Sequence, residues 1–150
     1  MAPKFSLQSI LDIRHGKVEL IEIELGKMLT VHQKTQLLHL SLQEFQVKLL
    51  DQLSAAQSGD IDLFKIGMLR LNILDAAKRI EVVAAELEKQ IWQIKNKRVE
   101  LIEAKQAEET LEILKRKRYE AYLVEQIQFE SREQDDIYIA QAFRNNQKEL

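Results

Sequence analysis

The residues that could carry metal or acid–base chemistry are three histidines and two pairs of adjacent acids. His32 and His39 are seven residues apart and would share one face of a helix. No His-x-x-x-His or Glu-x-x-His pairing supplies further ligands, so polar residues flanking a helix–helix seam are favoured over a metal site. Glu108-Glu109 and Asp135-Asp136 would need a pocket that separates their pKa values before they could do acid–base work. Solvated helix surface is the favoured interpretation of both pairs.

Nucleotide-binding and nucleophile motifs are absent from the sequence. There is no Gly-x-x-x-x-Gly-Lys-Ser/Thr loop, no Gly-x-Gly-x-x-Gly fingerprint and no Gly-x-Ser-x-Gly elbow. The chain has no cysteine, which excludes thiolate chemistry and is compatible with a reducing cytoplasm. The sequence therefore predicts a non-enzymatic protein with no catalytic, cofactor-binding or metal-binding residues.

Two basic clusters are the strongest candidates for a binding role. Lys95, Lys97 and Arg98 form one, and the run Lys115–Arg118 forms a denser one, followed by acids from Glu125 to Asp136. A nucleic-acid site is not favoured, because the net charge is −2 and aromatic residues do not interleave with the clusters. Two interpretations stay open: a solvated helix face, or a docking patch for an acidic protein surface.

The composition indicates long helices as the elements that position these residues. Only four Gly and one Pro are present, too few turn-formers for a sheet protein of 150 residues. Apolar residues make up 45% and charged residues 31%. No uncharged apolar stretch of about 18 residues exists to span a membrane. Residues 1–4 lead directly into an amphipathic pattern instead of a signal peptide, so a cytoplasmic location is expected.

An apolar seam with alternating steps of three and four predicts a first helix in a coiled coil. Two consecutive steps of three around Met28 predict a stammer with local overwinding. The predicted seam residues are Leu7, Leu11, Arg14, Val18, Ile21, Leu25, Met28, Val31, Thr35, Leu38, Leu42, Phe45 and Leu49.

The seam stops at residues 54–60, the one convincing turn in the sequence. Gly59 is expected in the left-handed conformation that ends a helix, and Asp60 or Ser58 is expected to cap the next helix. The second predicted seam consists of Ile66, Leu69, Ile73, Ala76, Ile80, Val83, Leu87, Ile91, Ile94, Arg98, Leu101, Ala104, Ala107, Leu111 and Leu114.

These patterns predict an all-α fold, a long antiparallel two-helix coiled-coil hairpin in a single domain of residues 1–150. Helix one covers about 6–54, the turn 55–60 and helix two about 61–143. At 1.5 Å per residue the helices would be about 70 Å and 120 Å long, so they cannot match end to end. Helix two either overhangs helix one or breaks near its start, where Gly67 would permit a break.

Two stretches resemble the FliJ family of flagellar export proteins. The first is Phe5-x-Leu7-x-x-Ile10-Leu11-x-x-Arg14-x-x-x-x-Glu19. The second is Leu111-Glu112-x-Leu114-Lys115-x-x-Arg118, followed by Tyr122, Glu125, Glu130, Glu133 and Asp135-Asp136-Ile137, where the family usually has Glu in place of Asp136. The resemblance implies a two-helix coiled coil similar to the central stalk of rotary ATPases. It also implies a cytoplasmic protein, peripheral to a membrane-embedded export apparatus.

The resemblance further implies three partners: a hexameric export ATPase that the protein stimulates, an export-gate membrane protein, and export chaperones. The candidate ATPase contacts near the open end of the hairpin are Lys115, Arg116, Arg118, Gln126 and Phe129. The weaker candidate gate contacts near the turn are Gln43, Gln46, Met68 and Leu69. A monomer without direct membrane insertion is expected. The alternatives are a self-associating structural coiled-coil scaffold and a FliJ-like regulator of a non-flagellar machine.

Overall fold

The computed structural model describes residues 2–148 and contains two helices. Helix α1 spans Gln8–Ala56 and helix α2 spans Leu63–Lys148. The described part of the chain contains no strand, and the two helices pack against each other. The predicted all-α helical hairpin is therefore confirmed.

The turn follows the predicted chemistry at Gly59 and departs from it at the cap of α2. Gly59 has φ 79°, the left-handed conformation that glycine adopts without steric cost. The cap is Asp62, whose Oδ1 accepts hydrogen bonds from the backbone N–H groups of Phe64 at 3.0 Å and Lys65 at 3.4 Å. The predicted caps Asp60 and Ser58 are wrong, since the Ser58 hydroxyl donates to the carbonyl of Ala55 instead.

The helices pack in two units. One unit joins residues up to Val18 with residues from Ala104 onward, and the other comprises Glu19–Glu103. In the first unit Arg14 contacts Ala107, and in the second His32 contacts Gln90. These pairings, together with others in each unit, make the helices antiparallel within both.

One core cluster of the Glu19–Glu103 unit lies next to the turn. Leu49, Leu69 and Ala76 are buried there, and Leu53 and Ile73 pack against them. Burying a large apolar side chain contributes roughly 1.5–3 kcal/mol. This cluster therefore closes the hairpin beside its loop.

The observed seam of α1 keeps an unbroken heptad spacing, so the predicted stammer is wrong. The seam passes through His32, His39 and Gln46, and the predicted members Val31, Leu38 and Phe45 are about half exposed instead. The buried and half-buried residues at this spacing are Leu7, Leu11, Arg14, Val18, Ile21, Leu25, Met28, His32, Thr35, His39, Leu42, Gln46, Leu49, Leu53 and Ala56.

In helix α2, too, polar residues occupy seam positions for which the sequence pattern predicted a neighbouring residue. Gln90 is 7% exposed and takes the place of Ile91, which is 57% exposed. Lys97 takes the place of Arg98. A strict seven-residue repeat keeps one stripe of each helix facing the other. That repeat places polar residues in the seam even where an apolar neighbour stands next to them.

A chain of hydrogen bonds satisfies the polar side chains that meet at Gln90 between the helices. The Thr35 hydroxyl donates to the carbonyl of Val31 at 2.9 Å, so it accepts from the Gln90 amide Nε2 at 3.0 Å. Gln90 Oε1 therefore faces His32, whose Nδ1–H donates to it at 2.9 Å. No buried side-chain nitrogen or oxygen within residues 2–148 lacks a partner.

Helix α2 is unbroken at Gly67, and it continues past the start of α1. Of the two expectations, overhang or break, the structure has the overhang. Arg118 contacts Ser6, just before α1 begins, and α2 extends 30 residues farther to Lys148.

Candidate partner-binding surfaces

The terminal groove lies where the segment before α1 meets α2. Residues 3–6 and Leu11 form one side, and residues 112–119 of α2 form the other, around a space of about 500 Å³. Phe5 and Tyr119 give the groove aromatic surface, while Lys115 and Arg116 are exposed on its basic side. A groove of this kind fits an apolar group that carries negative charge beside it.

Arg118 holds the N-terminal segment in place. Its Nη1 donates a hydrogen bond to the Ser6 hydroxyl at 2.7 Å, and its guanidinium lies 5.4 Å from the centre of the Phe5 ring. This distance is within the range of cation–π attraction. The predicted ATPase contact at Arg118 therefore has an intramolecular role, which the sequence could not reveal because the two stretches are 112 residues apart.

Two more contacts fix the pairing of the helices in this unit. Arg14 Nη1 donates to the carbonyl of Ala107 at 2.8 Å, and His15 Nδ1 lies 2.5 Å from a carboxylate oxygen of Glu108. Arg14, which interrupts the apolar seam, thus makes a specific bond to the facing helix. Glu108 is paired with a histidine across the hairpin and its side chain is only 14% exposed, so the prediction of solvated surface is wrong for this residue.

The α2 extension, residues 123–148, is exposed along its whole length. These 26 residues span about 39 Å at the helical rise. The candidate contacts Gln126 and Phe129 lie here, and the Phe129 side chain is 60% exposed. The large apolar residues exposed on the extension are Leu123, Val124, Ile127, Phe129, Ile137, Tyr138, Ile139 and Phe143.

Apolar side chains surround the α2 extension on all sides. Residues two apart on a helix point about 200° from each other. Ile127 and Phe129 therefore face opposite ways, and so do Ile137 and Ile139. A partner lying along one side of the helix would leave about half of these residues in water, whereas a partner that surrounds the helix would cover all of them.

The candidate gate residues are spread over different environments. Gln43 is exposed, Gln46 is half-buried in the seam, and Met68 is 45% exposed. Leu69 is buried against Leu49 and Ala76 in the core beside the turn. Gln43 and Met68 are therefore the members of this group that a partner can reach directly.

A side groove beside the seam was missed in the sequence. It encloses about 400 Å³ and is lined by Leu38, Leu42, Lys78, Arg79, Val82 and Val83. Val31, Leu38 and Phe45 repeat every seven residues along this flank of α1 and are all about half exposed. The sequence signal was present, but the same spacing made these residues appear to be the seam itself.

One residue of the first basic cluster, Lys97, forms ion pairs within the hairpin. Lys97 Nζ lies 2.8 Å from Glu24 and 3.1 Å from Glu100, and its side chain is 21% exposed. The hydrogen bonds to Glu24 and Glu100 raise the pKa of the Lys97 ammonium group above its ordinary value. Lys97 is thus a seam residue, and Lys95 and Arg98 are the exposed cations of this cluster.

The described residues contain neither a metal-binding cluster nor a membrane-spanning helix. Within residues 2–148 no group of three or more His, Asp or Glu side chains is placed to hold a metal ion. Neither described helix has the length and apolarity that crossing a bilayer requires. His32 instead donates to Gln90, and His39 is half-buried at a seam position.

The fold and surfaces define a helical-hairpin protein with an exposed, charged and apolar extension. Comparison with protein families gives one match: the family described as "Flagellar FliJ protein" matches residues 3–148. The chain belongs to the FliJ family and is therefore a flagellar export-associated protein. No curated protein sequence and no solved structure matches the chain significantly.

Proposed function

We propose that this chain binds and stimulates a hexameric export ATPase, and that the α2 extension enters the ATPase ring. In this function the protein acts on the cytoplasmic side of the export apparatus, and it catalyses no reaction itself. Family membership supports a place in flagellar export. The observation that carries the ATPase proposal is the distribution of apolar residues around the whole circumference of the extension.

A ring is the partner geometry that covers such a helix. Ile127 and Phe129 point to opposite sides, and each is at least 60% exposed. A ring lumen contacts all sides of an inserted helix at once, which removes this apolar area from water. The same residues would remain largely exposed on a protein that docked along one face.

The basic side of the terminal groove supports a second contact, at the mouth of the ring. Lys115 and Arg116 are exposed beside the point where α1 begins and the hairpin becomes two helices thick. We expect them to pair with acidic groups on the rim. Charged contacts at a rim act mainly on association rate and weaken with salt.

The export gate and the chaperones complete the proposed set of partners. For the gate, the accessible candidates are Gln43 and Met68, to which the side groove at Leu38 and Val82 adds an apolar surface. Exposed apolar patches rimmed by polar residues are typical of protein–protein contacts. The link to chaperones rests on family membership alone, and we assign no surface to it.

The test is hydrolysis by the cognate export ATPase with and without the purified chain. Wild type should raise both hydrolysis and ring formation, and Lys115→Glu with Arg116→Glu should remove most of the gain. Arg118 is left unchanged because its loss would release the N-terminal segment. The matched control reverses Lys34 and Lys89, two exposed lysines outside the terminal groove and outside both basic clusters.

Three outcomes would count against the proposal. Full stimulation by the Lys115/Arg116 variant would show that the basic side is solvated surface. If the control variant loses the same amount of ATPase stimulation, the loss comes from the change in net charge and not from the basic side of the terminal groove. A wild type that leaves the ATPase unchanged and forms concentration-dependent oligomers, measured as mass in solution, would favour the scaffold alternative.

A further inference from the structure

We propose that one face of the α2 extension binds a basic amphipathic helix of a partner protein. The face, called the extension seam, consists of Glu125, Phe129, Arg132, Asp136, Ile139 and Phe143. The proposal deepens the proposed function and rests on it, since it names the chemistry of an element that would cover this side of the inserted helix.

The extension seam continues an interface that already exists in the hairpin. On α2, Leu111 is buried and Leu114 half-buried against α1, and Arg118 contacts Ser6. Two steps of four lead from Leu114 through Arg118 to Tyr122, and alternating steps of three and four continue from Tyr122 along the extension seam. Because α1 begins at Gln8, no part of it reaches this far, and the stripe emerges into solvent.

The spacing of the extension seam fits a helix as its occupant. Phe129, Asp136 and Phe143 are separated by seven residues each, and Glu125, Arg132 and Ile139 form the interleaved row. Rows with this spacing accept side chains of a facing helix in knobs-into-holes packing. The apolar anchors Phe129, Ile139 and Phe143 are each at least 60% exposed and are available to such a helix.

Charge selects a basic helix. Residues 125–136 contain five acids, and Arg132 is the one basic residue among them. Glu125 and Asp136 lie on the extension seam, and Glu133 lies on its flank. Lysine or arginine on the flanks of the incoming helix would complement these acids, whereas an acidic helix would be repelled.

A second copy of this chain fits the extension seam poorly. Parallel pairing would place Glu125 against Glu125 and Asp136 against Asp136. Antiparallel pairing in one register sets Glu125 against Asp136. In the next register Arg132 meets Asp136, but Glu133 faces Glu133 and Asp135 faces Asp135 on the flanks. Each of these three arrangements therefore brings like charges together.

The direct test measures binding of synthetic peptides to the full-length chain by fluorescence anisotropy. The probe is a labelled peptide of about three heptads with Leu at the seam positions and Lys on the flanks, the length needed to cover the extension seam. Its counterpart carries Glu in place of Lys. The Lys peptide should bind at least about tenfold more tightly, and added salt should reduce this difference.

Variants on two faces of the same helix make the test specific. Glu125→Gln with Asp136→Asn should weaken the Lys peptide at least about threefold, the effect expected of two exposed ion pairs. The matched control, Glu120→Gln with Glu130→Gln, removes two acids from the opposite side and should leave binding unchanged.

A second pair of variants changes one apolar residue on each of the same two faces. Phe129→Ser should weaken the Lys peptide, and Ile127→Ser, on the far side with similar exposure, should not. If Phe129→Ser lowers helicity in circular dichroism, the charge variants decide the question alone.

The proposal is overturned if the two peptides bind equally, or if both faces respond equally to substitution. It is also overturned if the chain dimerises and the dimer excludes the Lys peptide. Because these readouts need no ATPase, they separate this inference from the proposed function. If the Lys peptide binds but the chain does not stimulate the ATPase, the proposal for the extension seam holds and the proposed ATPase function fails.

Discussion

Substituting Gln90 tests whether the helices pair in the strict heptad register or in the apolar register that includes a stammer. In the structure Gln90 is 7% exposed and bonds both His32 and Thr35. Each hydrogen bond contributes about 0.5–1.5 kcal/mol, and truncation also leaves a gap between the helices. Gln90→Ala should therefore lower the free energy of unfolding by about 2 kcal/mol.

The neighbouring residue provides the control. Ile91 is 57% exposed, and the better helix propensity of alanine offsets part of its lost burial. Ile91→Ala should thus cost about 0.5 kcal/mol. If Ile91 were the seam residue, as the sequence pattern predicts, the same change would cost about 2–5 kcal/mol and Gln90→Ala almost nothing.

Urea unfolding followed by circular dichroism separates the two cases through the transition midpoints. The double variant His32→Leu, Gln90→Leu extends the test, because replacing both partners of a buried polar pair with apolar residues is often neutral or stabilising. We expect it to be at least as stable as wild type. A larger loss for Ile91→Ala than for Gln90→Ala would refute the heptad register described here.

Three further predictions concern the cap, the half-buried Lys97 and the N-terminal segment. Asp62→Ala should cost about 1 kcal/mol in thermal unfolding, and Asp60→Ala much less, because Asp62 carries the cap. The pKa of Lys97 is raised in the folded chain, so its stabilising contribution is complete below about 10.5 and is lost as pH rises through the higher folded value. Wild type should thus lose melting temperature above about pH 10.5 more steeply than Lys97→Arg, whose side chain stays charged; parallel curves would contradict this. Arg118→Ala should speed proteolysis near Phe5 without changing helicity, and an unchanged cleavage rate would show that the Arg118 contacts do not anchor the segment.

The all-α hairpin could be predicted from the sequence, because few turn-formers and a long 3/4 spacing favour two long helices joined at one turn. Gly59 is a clear example: a lone glycine after a helical pattern predicts a left-handed residue, and φ 79° is observed. The register could not be predicted in the middle of the hairpin. There Val31 and His32 compete for one seam position, and the choice depends on Gln90 and Thr35, which are more than 50 residues apart.

The candidate surfaces were predictable only in part. The run Lys115–Arg118 is visible as a charge cluster, but the sequence does not distinguish Arg118, held by Phe5 and Ser6, from its exposed neighbours. Leu69 shows the reverse problem, since its position near the turn does not reveal that it is buried. Burial and long-range contacts depend on how two distant stretches meet, which a local pattern does not contain.

The most direct test of the central claim is site-specific cross-linking of the α2 extension to the export ATPase. The chain has no cysteine, so single cysteines can be introduced cleanly at Ile127, Phe129, Ile137 and Ile139 and labelled with a photoreactive group. A cysteine at Leu74, exposed in the other unit, serves as the control. An extension enclosed by a ring should cross-link to the ATPase from all four positions and not from Leu74. Cross-links from only one side of the helix, or from none, would contradict the account.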